Sequence, residues 1–131
     1  MSKQLITSAQ GFTNSWVDLG SAVSMNEGMA GARVAVWLEM TVGTSTNMRV
    51  RALAMLGISG TVEYSLPIKT VGASDVKVEA EYFEFNADAS QNMVLEVVTN
   101  GLVPYVQFQI QDQADGTGTV ASAHVTFSKL T

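Results

Sequence analysis

Between Tyr105 and Gln111 the chain alternates strictly: Val106, Phe108 and Ile110 take the even positions, and Gln107, Gln109 and Gln111 the odd ones. A period of two belongs to the β-strand, whose successive side chains point to opposite faces. The segment therefore carries one apolar face for a core and one amide face turned away from it. That amide face is hydrophilic but uncharged, and nothing on it titrates.

The same period runs through much of the chain. In Ala32–Val42, Val34, Val36, Leu38, Met40 and Val42 face one way, and Arg33, Ala35, Trp37, Glu39 and Thr41 the other. Near the C-terminus Ala121, Ala123, Val125 and Phe127 alternate with Val120, Ser122, His124 and Thr126. Further strands are expected over Gln4–Ala9, Ser15–Val23, Thr61–Ile68, Glu81–Asn86 and Met93–Thr99. Asp18-Leu19-Gly20 marks a bend or bulge inside the second of these. Met48–Leu56 contains good helix formers, but its length, its neighbours and Gly57 favour a strand. Gly43–Asn47 reads as a hairpin-like loop and Asn100-Gly101 as a turn. Glycine and small polar residues punctuate the chain about every ten residues, as in all-β domains. The expected fold is all-β: a two-sheet antiparallel β-sandwich of jelly-roll or Greek-key type with about eight or nine strands. A closed barrel is the second choice.

At 131 residues the chain fits one domain, able to bury roughly two thirds of its unfolded surface. Residues 1–10 are largely polar around a short apolar centre at Leu5 and Ile6 and read as an N-terminal arm or edge strand, with residues 11–131 as the sandwich. Charged residues make up 15%, well below the usual quarter or so. A surface so poor in charge favours burial of some of it against a partner. The net charge of −5 and scattered basic residues argue against a phosphate-binding surface, so no nucleic-acid partner is expected. No segment approaches the roughly 20 apolar residues of a membrane helix, and the N-terminus lacks an apolar leader core. No membrane partner is expected, and folding in a cytoplasm is the simplest reading.

The chemistry-bearing residues are sparse. Cysteine is absent and His124 is the one histidine, so zinc sets and thiolate catalysis have no basis. His124 shares a strand face with Ser122 and Thr126, but no Gly-x-Ser-x-Gly elbow accompanies it. Asp112 and Asp115 precede glycines without the Asp-x-Asp-x-Asp-Gly order of a calcium loop. Asp75, Glu79, Glu81 and Glu84 are the densest acids, and a solvated loop and strand edge accounts for them better than a glycosidase pair. Neither catalytic residue, nor metal site, nor cofactor is expected. Trp37, opposite the Val34 face, fits three roles: a core edge, a protein–protein anchor, or a platform for a sugar ring.

Ser15-Trp16-Val17-Asp18-Leu19-Gly20-Ser21-Ala22-Val23, the following alternating strand, Asn47-Met48-Arg49-Val50-Arg51 and the closing Tyr105-Val106-Gln107-Phe108-Gln109 resemble small β-sandwich proteins encoded among the head genes of tailed bacteriophages. That group comprises capsid decoration or cement proteins, commonly trimers, which clamp neighbouring major capsid subunits. The resemblance implies a non-enzymatic structural protein of the virion, assembled in the host cytoplasm, with the major capsid protein as partner and a homo-oligomer, a trimer first, as its own state. Leu5, Ile6, Trp37, Tyr105, Gln107 and Gln109 are the candidate interface residues. The alternative is a carbohydrate- or receptor-binding sandwich of a virion.

Overall fold

Where apolar residues recur at every second position the chain forms strands and mostly buries that face, but near the C-terminus the register shifts at Val120–Ser122, so Val120 is buried and Ala121 exposed against the alternation read from the sequence. The computed structural model describes residues 4–24, 33–44, 48–55, 63–66, 69–71, 83–85, 92–100, 105–112 and 118–129. These contain β1 (Gln4–Thr7), β2 (Gln10–Phe12), β3 (Val17–Asp18), β4 (Val23–Ser24), β5 (Arg33–Thr44), β6 (Met48–Met55), β7 (Glu63–Leu66), β8 (Lys69–Val71), β9 (Phe83–Phe85), β10 (Asn92–Asn100), β11 (Tyr105–Asp112) and β12 (Gly118–Lys129). Every pairing among them is antiparallel.

The strands form two sheets. Sheet A runs β1-β12-β5-β10-β8, with β2 following β1 along β12. Sheet B runs β3-β11-β6-β7, with β4 following β3 along β11, and β9 sharing the far flank of β6 with β7. Counting each shared flank as one lane, the described residues fill nine lanes, as the two-sheet sandwich expected from the sequence requires. In chain order, lanes 1, 8, 3 and 6 make the body of sheet A, and lanes 2, 7, 4 and 5 that of sheet B. This is the winding of a jelly roll. Strands β8 and β9, from the connection between β7 and β10, add to the flanks.

The winding corrects one local expectation. Gly43–Asn47 does not close a hairpin, because β5 and β6 lie in different sheets. β5 is flanked on both sides, by β12 and β10, and has no edge left for β6. The ambiguous helix-former segment is strand from Met48 to Met55, held by an eight-residue ladder to β11.

Between the sheets lie Val34, Val36, Leu38 and Met40 from β5, Met48, Val50, Ala52 and Ala54 from β6, Leu95 and Val97 from β10, and Val106, Phe108 and Ile110 from β11, all 2% exposed or less. Among the described residues Phe108 is the largest fully buried side chain. The N-terminal lanes supply Ile6, Phe12, Leu19 and Val23. Residues 4–24 thus run along the edge of β12, cross over, and run along the edge of β11, closing one side of the sandwich.

Candidate interaction surface

Each sheet has an outer face built from the residues between the core positions, and the two faces differ. On sheet B the pairing of β11 with β6 sets Tyr105 across from Met55, Gln107 from Leu53, Gln109 from Arg51 and Gln111 from Arg49. This is the amide face read from the sequence, but it is already occupied. Gln107 is 4% exposed, and its Nε2 donates to the carbonyls of Phe108 at 2.8 Å and Gly20 at 3.3 Å. Gln109 Oε1 accepts from Arg51 Nε at 2.8 Å and Nη2 at 2.6 Å, while its Nε2 donates to Asp18 Oδ1 at 2.9 Å. Gln111 Nε2 donates to the Asn14 carbonyl at 2.8 Å. The Arg51 guanidinium lies over the Trp16 ring, 4.3 Å from its centroid, a cation–π contact. Leu53 and Met55 point the same way as these groups, yet are only 3% and 6% exposed.

The amides therefore fasten the N-terminal lane to the sheet. Gly20 is where the ties converge. Its N–H donates to Gln10 Oε1 at 2.8 Å, and its carbonyl accepts from Gln107. The Gln10 amide also donates to the Asp18 carbonyl, so one side chain from sheet A's edge holds two points on sheet B's edge. Gly20 takes φ of +66°, and a Cβ there would stand 2.2 Å from the Ile6 carbonyl oxygen. Only glycine permits both the left-handed turn and the close approach. The bend expected at Asp18-Leu19-Gly20 is this turn. It lets the lane gain two residues on β11, between the Asp18–Gln109 and Val23–Val106 pairs. Opposite it β1 carries a bulge, with Leu5 across from His124 and Thr7 from Ala123, which leaves Ile6 as the inserted residue.

Sheet A presents the other kind of face. One row across it reads Leu5, His124, Glu39 and Val94, by the registers of β1, β12, β5 and β10. The next reads Thr126, Trp37 and Glu96. The Trp37 indole N–H donates to Glu96 Oε2 at 2.8 Å, which fixes the ring on the sheet. His124, Glu39, Val94, Thr126, Trp37 and Glu96 are each partly exposed. Leu5, at 52%, is the one large apolar side chain exposed among the described residues.

The six candidate interface residues are thus not one patch. Leu5 and Trp37 share the outer face of sheet A, while Tyr105, Gln107 and Gln109 lie on that of sheet B. Ile6 is 8% exposed and belongs to the core, and Gln107 is buried. Ile6 follows the outward Leu5 and faces the core, and the Gly20 carbonyl accepts from the Gln107 amide. Sequence reading passed over Gln10, which no periodicity distinguishes, and the Glu39–His124 register. Among the described residues no group of three or more His, Asp or Glu could hold a metal ion. Asp112 is 3% exposed at the end of β11, where its N–H donates to the Thr13 carbonyl at 2.7 Å. Asp75, Glu79, Glu81 and Asp115 lie outside the described residues.

No protein-family model and no curated protein matches the chain. Among solved structures it is similar to one of infectious bursal disease virus, Gx strain, at 12% identity over 96% of this chain and 31% of that one, with a TM-score of 0.39. It is also similar to a mutant VP2 protein of that virus in T=1 particles, at 13% identity over 98% of this chain and 39% of the other, TM-score 0.33. A third is the VP2 subviral particle of the same virus, at 12% identity over 98% and 40%, TM-score 0.30. The chain spans less than half the length of each of these solved chains.

Proposed function

We propose that this chain is a structural protein of a virion, a capsid decoration or cement protein that stabilises the head by binding across major capsid subunits. The observation that carries the reading is the strand order. Two interleaved Greek keys make a jelly roll, an architecture used in viral capsid domains and in lectins. Fold alone leaves function open, and the surface chemistry supplies the rest. The charge-poor chain offers mixed apolar and polar faces for contact, and shell stabilisation needs only buried area repeated over many symmetric copies. The proposal assigns the chain no reaction, no cofactor, no nucleic acid and no membrane. It places the protein in the virion as a homo-oligomer.

The lectin branch of the same architecture supports a second reading, a carbohydrate- or receptor-binding module. Trp37 favours it, as a partly exposed ring held in place on the outer face of sheet A by Glu96.

Deleting the gene tests the main reading. Heads lacking the protein are expected to assemble and to fill, but to burst at lower temperature or lower ionic strength. Adding back purified protein is expected to restore resistance. Heads that fail to assemble without it would make it an essential shell subunit. Heads of unchanged resistance, with loss of host attachment, would favour the receptor-binding alternative.

A further inference from the structure

The contents of the β12–β5 seam on sheet A complement themselves. Cα partners across that seam are Ser122 with Thr41, His124 with Glu39, and Thr126 with Trp37. Consider a second copy laid face to face on this surface, related by a two-fold axis lying in the interface along the seam. Each residue of β12 then meets the β5 partner of the same row in the other copy. His124 faces Glu39, a donor against an acceptor, and Thr126 faces Trp37, a small side chain against a large one. Ser122 faces Thr41, two hydroxyls that can bond either way. In the central row the flanks match too, because Leu5 on one side meets Val94 on the other. The row reads apolar, donor, acceptor, apolar, and its reversal sets acceptor against donor and apolar against apolar.

We propose that the outer face of sheet A is an isologous interface, and that its partner is the same face of a second copy of this chain. Isologous contacts require this property, that residue i meets j while j meets i. The outer face of sheet B lacks it, because Gln107, Leu53 and Met55 are buried there and the Gln109, Arg51 and Trp16 groups are tied to one another. The area suffices. At about 3.4 Å per residue and 4.8 Å per lane, the residues of β1, β2, β12, β5 and β10 that overlap about the seam outline a patch on the order of 650 Å². A stable interface needs roughly 800 Å² of accessible surface per partner, and side chains raise accessible area above the flat outline. Twisted sheets stack face to face in this way, with strands within about 30° of one another. Glu39 is already engaged within its own chain, and a carboxylate has acceptor sites to spare. A three-fold ring would instead need two different complementary patches on each copy, whereas the seam provides one patch that complements itself. The inference concerns how copies of this chain meet, and it stands apart from the capsid-binding role proposed above.

The test uses the whole chain in analytical ultracentrifugation from about 1 to 100 μM, the range of modest homodimer affinities. Wild type is expected to associate in twos. His124→Glu sets a glutamate against Glu39 of the partner copy, and Glu39→His sets a histidine against His124, so each variant alone is expected to weaken association by roughly tenfold or more. Mixing the two variants restores a carboxylate against an imidazole in both halves of the contact. The introduced glutamate of one copy meets the introduced histidine of the other, and the native Glu39 of the first meets the native His124 of the second. The mixture is therefore expected to recover dimer to within about threefold of wild type. Because either change also places like groups side by side within one chain, thermal melts accompany the sedimentation. Should a variant fail to fold, Leu5→Arg at the exposed edge serves in its place and is expected to weaken association. A wild type that stays monomeric at 100 μM overturns the proposal. So do single variants that associate as tightly as wild type, or a mixture that remains monomeric.

Discussion

Replacing Gly20 by alanine probes the join between the two sheets. Two costs follow from the structure. An L-residue held at φ of +66° loses about 1–2 kcal/mol relative to glycine. The new Cβ would lie 2.2 Å from the Ile6 carbonyl oxygen and 2.6 Å from its carbon, both backbone atoms with no rotamer to yield. Relief requires β1 to move away from the bend, and forced repacking of this kind costs about 1–3 kcal/mol. Moving β1 also pulls on β2, which follows it in the chain, and so on the Gln10 bonds to Gly20 and Asp18. The expected loss is about 3 kcal/mol, which for a domain of this size lowers the melting temperature by about 10 °C. Gly11→Ala is the control, because a Cβ there meets nothing closer than 3.8 Å, and a shift of at most a few degrees is expected. Thermal unfolding followed by far-UV circular dichroism, with urea titration for the free energy, measures both. A Gly20→Ala melting point within about 2 °C of wild type, or equal losses at the two glycines, would refute the argument that the bend is the join.

Other substitutions test the remaining links. Arg51→Ala and Gln109→Ala in a double-mutant cycle are expected to show a coupling of about 1 kcal/mol in urea unfolding, and Arg51→Ala to shift the emission of Trp16 in a Trp37→Phe background. Phe108→Ala removes the largest fully buried side chain among the described residues and is expected to cost about 3–5 kcal/mol in the same assay. Deleting residues 1–8 strips β1 from the edge of β12 and removes Ile6 from the core, so a lower melting point is expected rather than the silent loss of a free arm. His124→Ala is expected to shift the melting temperature by at most a few degrees while weakening self-association in sedimentation, because the partly exposed imidazole sits at the proposed two-fold contact rather than in the core.

Strand identity and inward parity were legible in the sequence because both are local. In β5 and β11 the two-residue period alone says which side chains face the core, and Val34, Val36, Leu38, Val106, Phe108 and Ile110 are all fully buried. The helix-or-strand ambiguity of Met48–Met55 shows the limit, since its helix formers lie in a strand only because β11 and β7 flank it. Outward parity carried less information. Gln107 and Leu53 alternate away from the core as the pattern requires, yet both are buried. What covers a sheet's outer face need not be near it in sequence: Gln107 bonds a carbonyl 87 residues away, and Gln109 and Gln111 reach 91 and 97 residues. The glutamine period was therefore visible while its purpose was not, because an amide's partners are chosen by the chain's return path and not by its neighbours. The same holds for the face proposed to pair copies. Glu39 and His124 are unremarkable in their own strands, and become a complementary pair only when the jelly-roll winding brings the last strand against the third lane. Side-chain alternation is written into a single strand by backbone stereochemistry, whereas adjacency between strands is set by which distant segments close the core together.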